Sequence, residues 1–235
     1  MQDQVIKTDK WAFDNEVTKC FDDMLVRSIP DYYTMRYLVG ELGKKQITSP
    51  DDIIVDLGCS TGGSIAPFAE SGNQIIGIEV SDPMYNECRE RFNCYPQIDI
   101  QNRDIITDFP KVNAKLIMSV LTIQFTPIEE RWRILKNIYN SLTDGGCFIF
   151  VEKVLAASAE TDDLLTQTYY DMKRKNAYSE EQIQSKRKSL SGVLVPVSER
   201  ENINFLQSVG FKKIECFWRC LNFAGWIAFK GGGAE

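Results

Sequence analysis

The sequence predicts an α/β fold: a mostly parallel seven-stranded sheet with helices on both faces, an N-terminal helical cover and a terminal antiparallel hairpin. Three observations carry this. Between Asp52 and Lys153, short apolar runs alternate with helix-patterned segments, as in successive βαβ units. The first of those runs closes on a glycine-rich turn, Val55–Ser64, "VDLGCSTGGS". The last two apolar runs are separated only by Arg219, Cys220 and Leu221, which suits a hairpin and is too short for a crossover. At 235 residues, 43% of them hydrophobic, the chain is long enough for one such domain, 1–235, with a full core.

The cover spans residues 1–50. Phe13, Val17, Phe21, Met24, Leu25 and Ile29 recur at helical spacing, and after Pro30 "YYTMRYLVGEL" forms a second helix that stops near Gly43. "DIIVDLG" reads as a strand buried on both faces, followed by a helix from Gly63 to Glu70. "QIIGIEV" is the next strand, and Ser81-Asp82-Pro83 opens a helix with proline in its first turn. "QIDIQNRDI" and "AKLIMSVLTIQF" each contain a further strand. Thr126-Pro127-Ile128-Glu129 fits a capping box for a helix that buries Ile128, Trp132, Leu135, Ile138 and Leu142 and ends at Gly145-Gly146. "CFIFVEK" is the fifth strand.

The alternation then stops. Residues 154–195 are predicted to be a helical insertion of two polar segments, "TDDLLTQTYYDMKRKN" and "SEEQIQSKRKSL", the second opened by a capping pair, Ser179 and Gln182. A helix over "ENINFLQSVG" precedes the hairpin strands "KKIECFW" and "NFAGWIAFK". The tail "GGGAE", 231–235, is expected to be disordered.

Composition narrows the function. A formal charge of −6 argues against direct nucleic-acid binding. No apolar run approaches the roughly 20 residues of a membrane span, and the N-terminus lacks a signal-type apolar core, so a cytoplasmic location is expected. The seven cysteines are scattered without a Cys-x-x-Cys pair and read as free thiols. The absence of histidine removes Ser-His-Asp and Cys-His catalysis and imidazole-ligated metal sites, and no metal is expected.

Gly58, Gly62 and Gly63 follow a strand and precede a helix, the context in which backbone N–H groups can approach a ligand. Ser60 occupies the position of the middle glycine in the dinucleotide fingerprint, which disfavours a pyrophosphate. Asp56, at the carboxyl end of its strand, suits a ligand with an ammonium or sulfonium. Glu79 ends the next strand about twenty residues past Gly58, where an acidic side chain can grip a ribose diol. S-adenosylmethionine (SAM) fits this set best; a purely structural turn is the alternative. Cys59 is expected to be inert, because Asp56 opposes its ionisation.

"VDLGCSTGG", "IIGIEVSDPM", "RDI" and "LTDGGCFIFVEK" together resemble the motifs of class I SAM-dependent methyltransferases, with their Rossmann-like fold. "WAFDNEVTKCFDDMLVRSIPDY", "LTIQF", "KRKNAYSEEQIQSKR" and "CLNFAGWIAFK" are similar, more narrowly, to the carboxy-SAM synthase family and its methyltransferase paralogues. The likeness runs from about Trp11 to Lys230. It implies a cofactor contact for Tyr32, for the turn Gly58-Cys59-Ser60, for Glu79 with Val80 and Met84 of the same motif, and for the adenine-framing pair Asp104 and Ile105. It implies that Arg187 meets a carboxylate on the cofactor's transferable carbon, with Tyr32 and Arg187 the catalytic candidates. Where the synthases carry an asparagine after the fourth strand this chain aligns Val120, or Ser119 on a one-residue shift. Homodimerisation is implied by the likeness alone, with Leu164, Leu165, Ile183 and Leu190 of the insertion as the contact.

Three functions follow. The first is a SAM-dependent methyltransferase acting on a small-molecule substrate, by in-line transfer to a positioned nucleophile; Val120 and "FAGWIAFK" favour it. The second is a carboxy-SAM synthase, joining SAM and a carboxylate donor such as prephenate into carboxy-SAM for tRNA wobble-uridine modification; Arg187 and Tyr32 favour that. The third is a non-catalytic SAM-binding protein. Tyr169, Tyr170 and Tyr178 flank the insertion and are candidates to line a substrate pocket or to pack it down, with Tyr170 and Tyr178 joining Arg187 as substrate contacts. Trp11, Phe13 and Tyr37 pose the same choice in the cover. Lys173, Arg174, Lys175, Lys186 and Lys188 read first as solvated helix faces.

Overall fold

In the computed structural model, which describes residues 1–231, α1 (Asn15–Ser28) begins where the Asp14 carboxylate accepts from the N–H groups of Glu16 and Val17. It buries Val17, Cys20, Phe21 and Met24. α2 (Tyr32–Gln46) follows after a left-handed Asp31. It continues past Gly43, which is not a stop: the glycine lets the helix lie so close to the core that a Cβ would stand 2.6 Å from Phe68.

The sheet comprises β1 (Ile54–Leu57), β2 (Ile75–Glu79), β3 (Ile98–Asn102), β4 (Ala114–Val120), β5 (Leu142–Leu155), the two-residue β6 (Val197–Ser198), β7 (Lys213–Cys220) and β8 (Phe223–Phe229). Their order is β3-β2-β1-β4-β5-β8-β7, with β6 paired to the far end of β5. β1 to β5 run parallel, and β8 lies antiparallel between β5 and β7. The strand order reverses between β1 and β4, so a crevice opens at their carboxyl ends, where doubly wound sheets bind ligands. The predicted seven strands and closing hairpin are therefore present, and β6 is an addition.

Both faces of the sheet are covered, which is why its central strands are apolar on alternate and intervening positions alike. One core joins Met35 and Val39 of α2 to Phe68, Met118, Ile149 and Trp218; the other joins Ile134 and Ile138 to Val55, Ile117, Phe148 and Trp226. Those two isoleucines belong to α4 (Ile128–Ser141), and α3 (Asp82–Arg91) and α7 (Glu199–Val209) complete the flanking helices. α7 opens with a capping box, Ser198 and Glu201, that the sequence pattern did not signal by its apolar spacing.

Three local expectations are corrected. The helix from Gly63 to Glu70 is only a short 3-10 turn, Ala66–Phe68, because Gly62 is left-handed (φ 83°) and Pro67 interrupts the ladder. Thr126 does not cap α4: its hydroxyl donates to the Ile123 carbonyl at 2.7 Å, and Pro127 holds the cap position. Nor does α4 run to the glycine pair. It ends at Ser141, and Gly145 and Gly146 lie within β5. Ile128 and Trp132 stay 44% and 48% exposed, since the buried stripe is set by Arg131, Ile134, Leu135 and Ile138.

The insertion forms α5 (Ala159–Lys175) and α6 (Glu180–Leu190), the latter with the expected Ser179–Gln182 capping box. The N-terminal segment clasps it. Asp3 is 2% exposed and accepts from Tyr178 Oη, Ser28 Oγ donates to Tyr178 Oη at 3.1 Å, and the Arg27 guanidinium lies 4.1 Å over the Tyr178 ring. Trp11 N–H donates to the Ser189 carbonyl at 3.0 Å. Among the described residues no helix is long and apolar enough to cross a membrane. The expectation for the "GGGAE" tail falls, from residue 232 on, outside the described residues.

Candidate functional site

The turn after β1 is held from below. The N–H groups of Gly58 and Cys59 both donate to the Ile78 carbonyl, at 2.8 and 3.0 Å, and Ser60 N–H donates to Glu79 Oε2 at 2.9 Å. These three donors are spent inside the protein, and Thr61 and Gly63 of the same turn also line the cleft above it. Gly58 is left-handed (φ 70°), and a Cβ there would collide with Thr122. Cys59 and Cys88 are buried with their sulfurs 3.9 Å apart, and that contact, with burial, raises the Cys59 thiol well above its ordinary range. A thiol so raised keeps its proton.

Above the turn lies a cleft of about 1000 Å³, counting its open mouth, formed by the cover, the turn, the loop after β4 and the insertion. Tyr32 and Arg36 enter it from α2. Arg36 Nη1 donates to Ser64 Oγ at 2.8 Å. Beneath, Asp56 is 1% exposed and its Oδ2 has no hydrogen-bond partner among the described residues. Burial pushes its carboxyl up to about 7, with Arg36 opposing and Glu79 adding to the rise. A cation above the turn would restore the charged form. Asp56 itself lines neither lobe of the cleft, and Arg36 is the charged group at this corner that reaches it, suited to an amino-acid carboxylate.

The cleft continues through Phe13, Gly58, Ser60, Leu121 and Phe125 into a second lobe at the ends of β2 and β3, lined by Glu79, Val80, Arg103, Asp104, Ile105 and Ile106. Glu79 is 6% exposed; its Oε1 accepts from Ser81 N–H at 2.8 Å, and burial raises it against these backbone bonds. Asp104 Oδ1 accepts from Ile106 N–H at 2.8 Å. Each carboxylate keeps acceptor capacity toward the lobe.

The loop after β4 is set by a residue the sequence reading missed. Glu152 is buried, and its two oxygens accept from Ile123 N–H at 3.0 Å and Gln124 N–H at 2.6 Å. Burial lifts it to about 8, with Arg131 opposing. Lys153, next along β5, faces the cleft with Lys186 of α6 and Tyr169 of α5. Lys153, Lys186 and Arg36 were not singled out as site residues. The usable signal was Lys153 at the carboxyl end of a central strand, and Lys186 immediately before Arg187.

The expected site residues divide. Tyr32, Gly58, Cys59, Ser60 and Val120 line the first lobe, and Glu79, Val80, Asp104 and Ile105 the second. Met84 does not reach either: it is 1% exposed and packs with Trp11, Val17, Phe21 and Met24. Ser119 is fully buried in β4, facing away from the cleft that its neighbour Val120 lines. Tyr178 is consumed by Asp3 and Ser28 beneath the insertion. Arg187 and Tyr170 line an adjoining chamber instead of the cleft, and Arg187 is exposed. Lys186, one position earlier on α6, lines both cavities, whereas Arg187 lines the chamber alone. Trp11 and Phe13 line the cleft, whereas Tyr37 is 66% exposed.

Residues 54–146 match the family model described as "Methyltransferase domain". The chain is 35% identical over 225 residues to the carboxy-S-adenosyl-L-methionine synthase of a Nitratiruptor species, covering 94% of this chain and 93% of that protein. It is 32% identical over 238 residues to the protein of the same name from Yersinia pestis (strain Pestoides F), covering 98% and 88%. Human N-acetylserotonin methyltransferase, solved in complex with SAM, shares the fold with a TM-score of 0.59 at 18% identity; the match covers 92% of this chain but only 55% of that one. The cleft just described is thus that of a SAM-dependent transferase, and the chain belongs to the carboxy-S-adenosyl-L-methionine synthase family.

Proposed function

We propose that this chain makes carboxy-SAM: the donor's C–CO2 bond breaks, the transferable carbon of SAM gives up a proton to the donor's remainder, and the freed CO2 bonds to that carbon. The observation that carries this reading is the cationic wall of the cleft: Lys153 and Lys186 face the space beside the glycine turn. A pocket for a neutral methyl acceptor has no use for two half-buried ammonium groups, whereas an incoming carboxylate does. The near-full-length likeness to proteins named as such synthases supports the same choice.

In this reading Glu79 accepts from the ribose hydroxyls, Asp104 and the Ile105 backbone frame the adenine, and Val80 forms the exposed rim. Arg36 takes the carboxylate of the amino-acid end. Tyr32 closes the lobe from above; burial raises its phenol, so it stays neutral and donates a hydrogen bond. SAM supplies the activated carbon when bound, and the residues around it contribute binding, orientation and exclusion of water. The homodimer contact in this reading uses Leu164 of α5, which is 66% exposed, because Ile183 is buried within the subunit. The same reading puts the enzyme in the cytoplasm.

A second reading, a small-molecule methyltransferase, is favoured by Val120, an apolar side chain lining the cleft where the likeness leads one to expect asparagine. Mass spectrometry of the purified protein incubated with SAM and prephenate separates the two. An adenosyl product heavier than SAM by one CO2 supports the synthase. S-adenosylhomocysteine together with a methylated small molecule, formed when cell extract replaces prephenate, supports the methyltransferase. Failure to bind any adenosyl compound in calorimetry overturns both.

A further inference from the structure

The two lobes of the cleft share five lining residues: Phe13, Gly58, Ser60, Leu121 and Phe125. SAM carries its amino-acid arm and its nucleoside arm on one sulfur. With the two arms in separate lobes, the sulfonium falls at this shared boundary. None of the five residues is charged. Gly58 has no side chain, Leu121 is aliphatic, and the Ser60 hydroxyl leans on the Gly58 carbonyl at 3.4 Å. The nearby carboxylates belong elsewhere. Asp22 lines only the first lobe and accepts from Thr61 Oγ1 at 3.0 Å. Glu79 lines only the second, with both oxygens engaged by backbone N–H groups, and Asp56 lines neither. What the boundary offers a cation is a pair of aromatic rings.

Those rings come from distant parts of the chain and are fixed in place. Phe13 precedes the Asp14 cap of α1, and its carbonyl accepts from Ser81 Oγ at the start of α3. Phe125 lies in the loop after β4. Its N–H donates to the Thr122 carbonyl at 3.0 Å, in the segment that Glu152 holds. The two rings make a T-shaped contact, with centroids 5.1 Å apart and planes at 78°. Trp11 and Phe21 pack against Phe13 in the same way, at 6.2 and 6.1 Å. Trp11 and Phe21 are buried, whereas Phe13 and Phe125 are half-buried and line both lobes. An aliphatic wall would exclude water equally well. Aromatic faces add a negative quadrupole that attracts a cation, most strongly where water is displaced.

We propose that Phe13 and Phe125 are specificity-determining residues that hold the sulfonium by cation–π attraction, so that the cleft distinguishes SAM from the neutral thioether S-adenosylhomocysteine. This rests on the reading of the cleft as the SAM site. SAM and carboxy-SAM both keep the sulfonium, so the same rings serve the reactant and the product of the proposed reaction.

The test replaces Phe13 in the full-length protein by 4-fluoro-, 3,5-difluoro- and 3,4,5-trifluorophenylalanine, with a second series at Phe125. Fluorine drains the ring face while changing its size little. Calorimetry should show SAM affinity falling stepwise, by about fivefold or more across each series, while S-adenosylhomocysteine stays within about twofold. Phe13→Leu and Phe125→Leu should each weaken SAM by about tenfold and S-adenosylhomocysteine by less than about threefold. Should a leucine variant fail to fold, the near-isosteric fluorinated series decides. A flat SAM series, or equal losses for the two nucleosides, overturns the proposal and leaves the rings as packing alone. Failure of the unmutated protein to bind either nucleoside would instead sink the cofactor reading.

Discussion

The two ends of the cleft are built by different means. At the nucleoside end, Glu79 and Asp104 sit at the carboxyl ends of neighbouring parallel strands, each fixed by N–H groups within two residues or by the adjacent turn. At the donor end, Lys153, Lys173 and Lys186 come from a strand and two inserted helices, and their positions depend on the clasp between Asp3, Arg27 and Tyr178. The first end is held by local backbone geometry. The second is held by contacts between segments more than a hundred residues apart. In the proposed function, the rigid end takes the part of the ligand common to the superfamily, and the end that an insertion can remodel selects the second reactant.

Breaking the rigid end should give the largest effect. Gly58→Val forces a side chain into a left-handed turn against Thr122; it should abolish SAM binding by calorimetry and cost about 3 kcal/mol or more in urea unfolding. Glu79→Ala comes next. It removes the proposed ribose acceptor and the anchor of the Ser60 N–H together, so SAM should bind about 100-fold more weakly, with two charged hydrogen-bond sets lost.

The donor end predicts a pH signature. Lys173 has a folded pKa near 7, below its unfolded value, so between about pH 7 and 10 the unfolded chain binds the additional proton and stability rises with pH. Lys173→Met should flatten that rise, by on the order of 2 kcal/mol, in unfolding curves measured at pH 7 and 9. Arg36→Gln tests the amino-acid corner. It should weaken SAM by about tenfold more than decarboxylated SAM, because the loss of the Ser64 bond is common to both and the proposed carboxylate contact is not. The smallest effect is expected from Arg187→Ala: the side chain is exposed and lies outside the cleft, so the SAM dissociation constant should stay within about twofold. A tenfold loss there would mean that Arg187 reaches the cofactor after all.

Much of this was legible before the fold was known. Period-2 and period-3.6 patterns located the strands and helices, and the spacing of Gly58 and Glu79 located the turn and strand end that line the two lobes of the cleft. What misled was local chemistry that tertiary contacts overrode. Thr126 has a capping sequence, yet its hydroxyl is drawn to Ile123 by a loop that Glu152 holds in place. Tyr178 sits in a motif that suggested substrate contact, yet Asp3, near the other end of the chain, claims it. Arg187 and Lys186 are neighbours in sequence, and only the way α6 is docked decides which of them reaches the cleft.

From sequence alone, the alternating fold, the hairpin and the strand-end residues of the nucleoside lobe were determined, because parallel strands and their turns carry their instructions within a few residues. The tertiary structure alone decided that the N–H groups of Gly58, Cys59 and Ser60 are spent internally, that Arg36 bonds Ser64 at the edge of the cleft, and that three lysines share one chamber. Those outcomes depend on long-range packing of the cover against the insertion, and no local pattern encodes which buried charges end up without a partner.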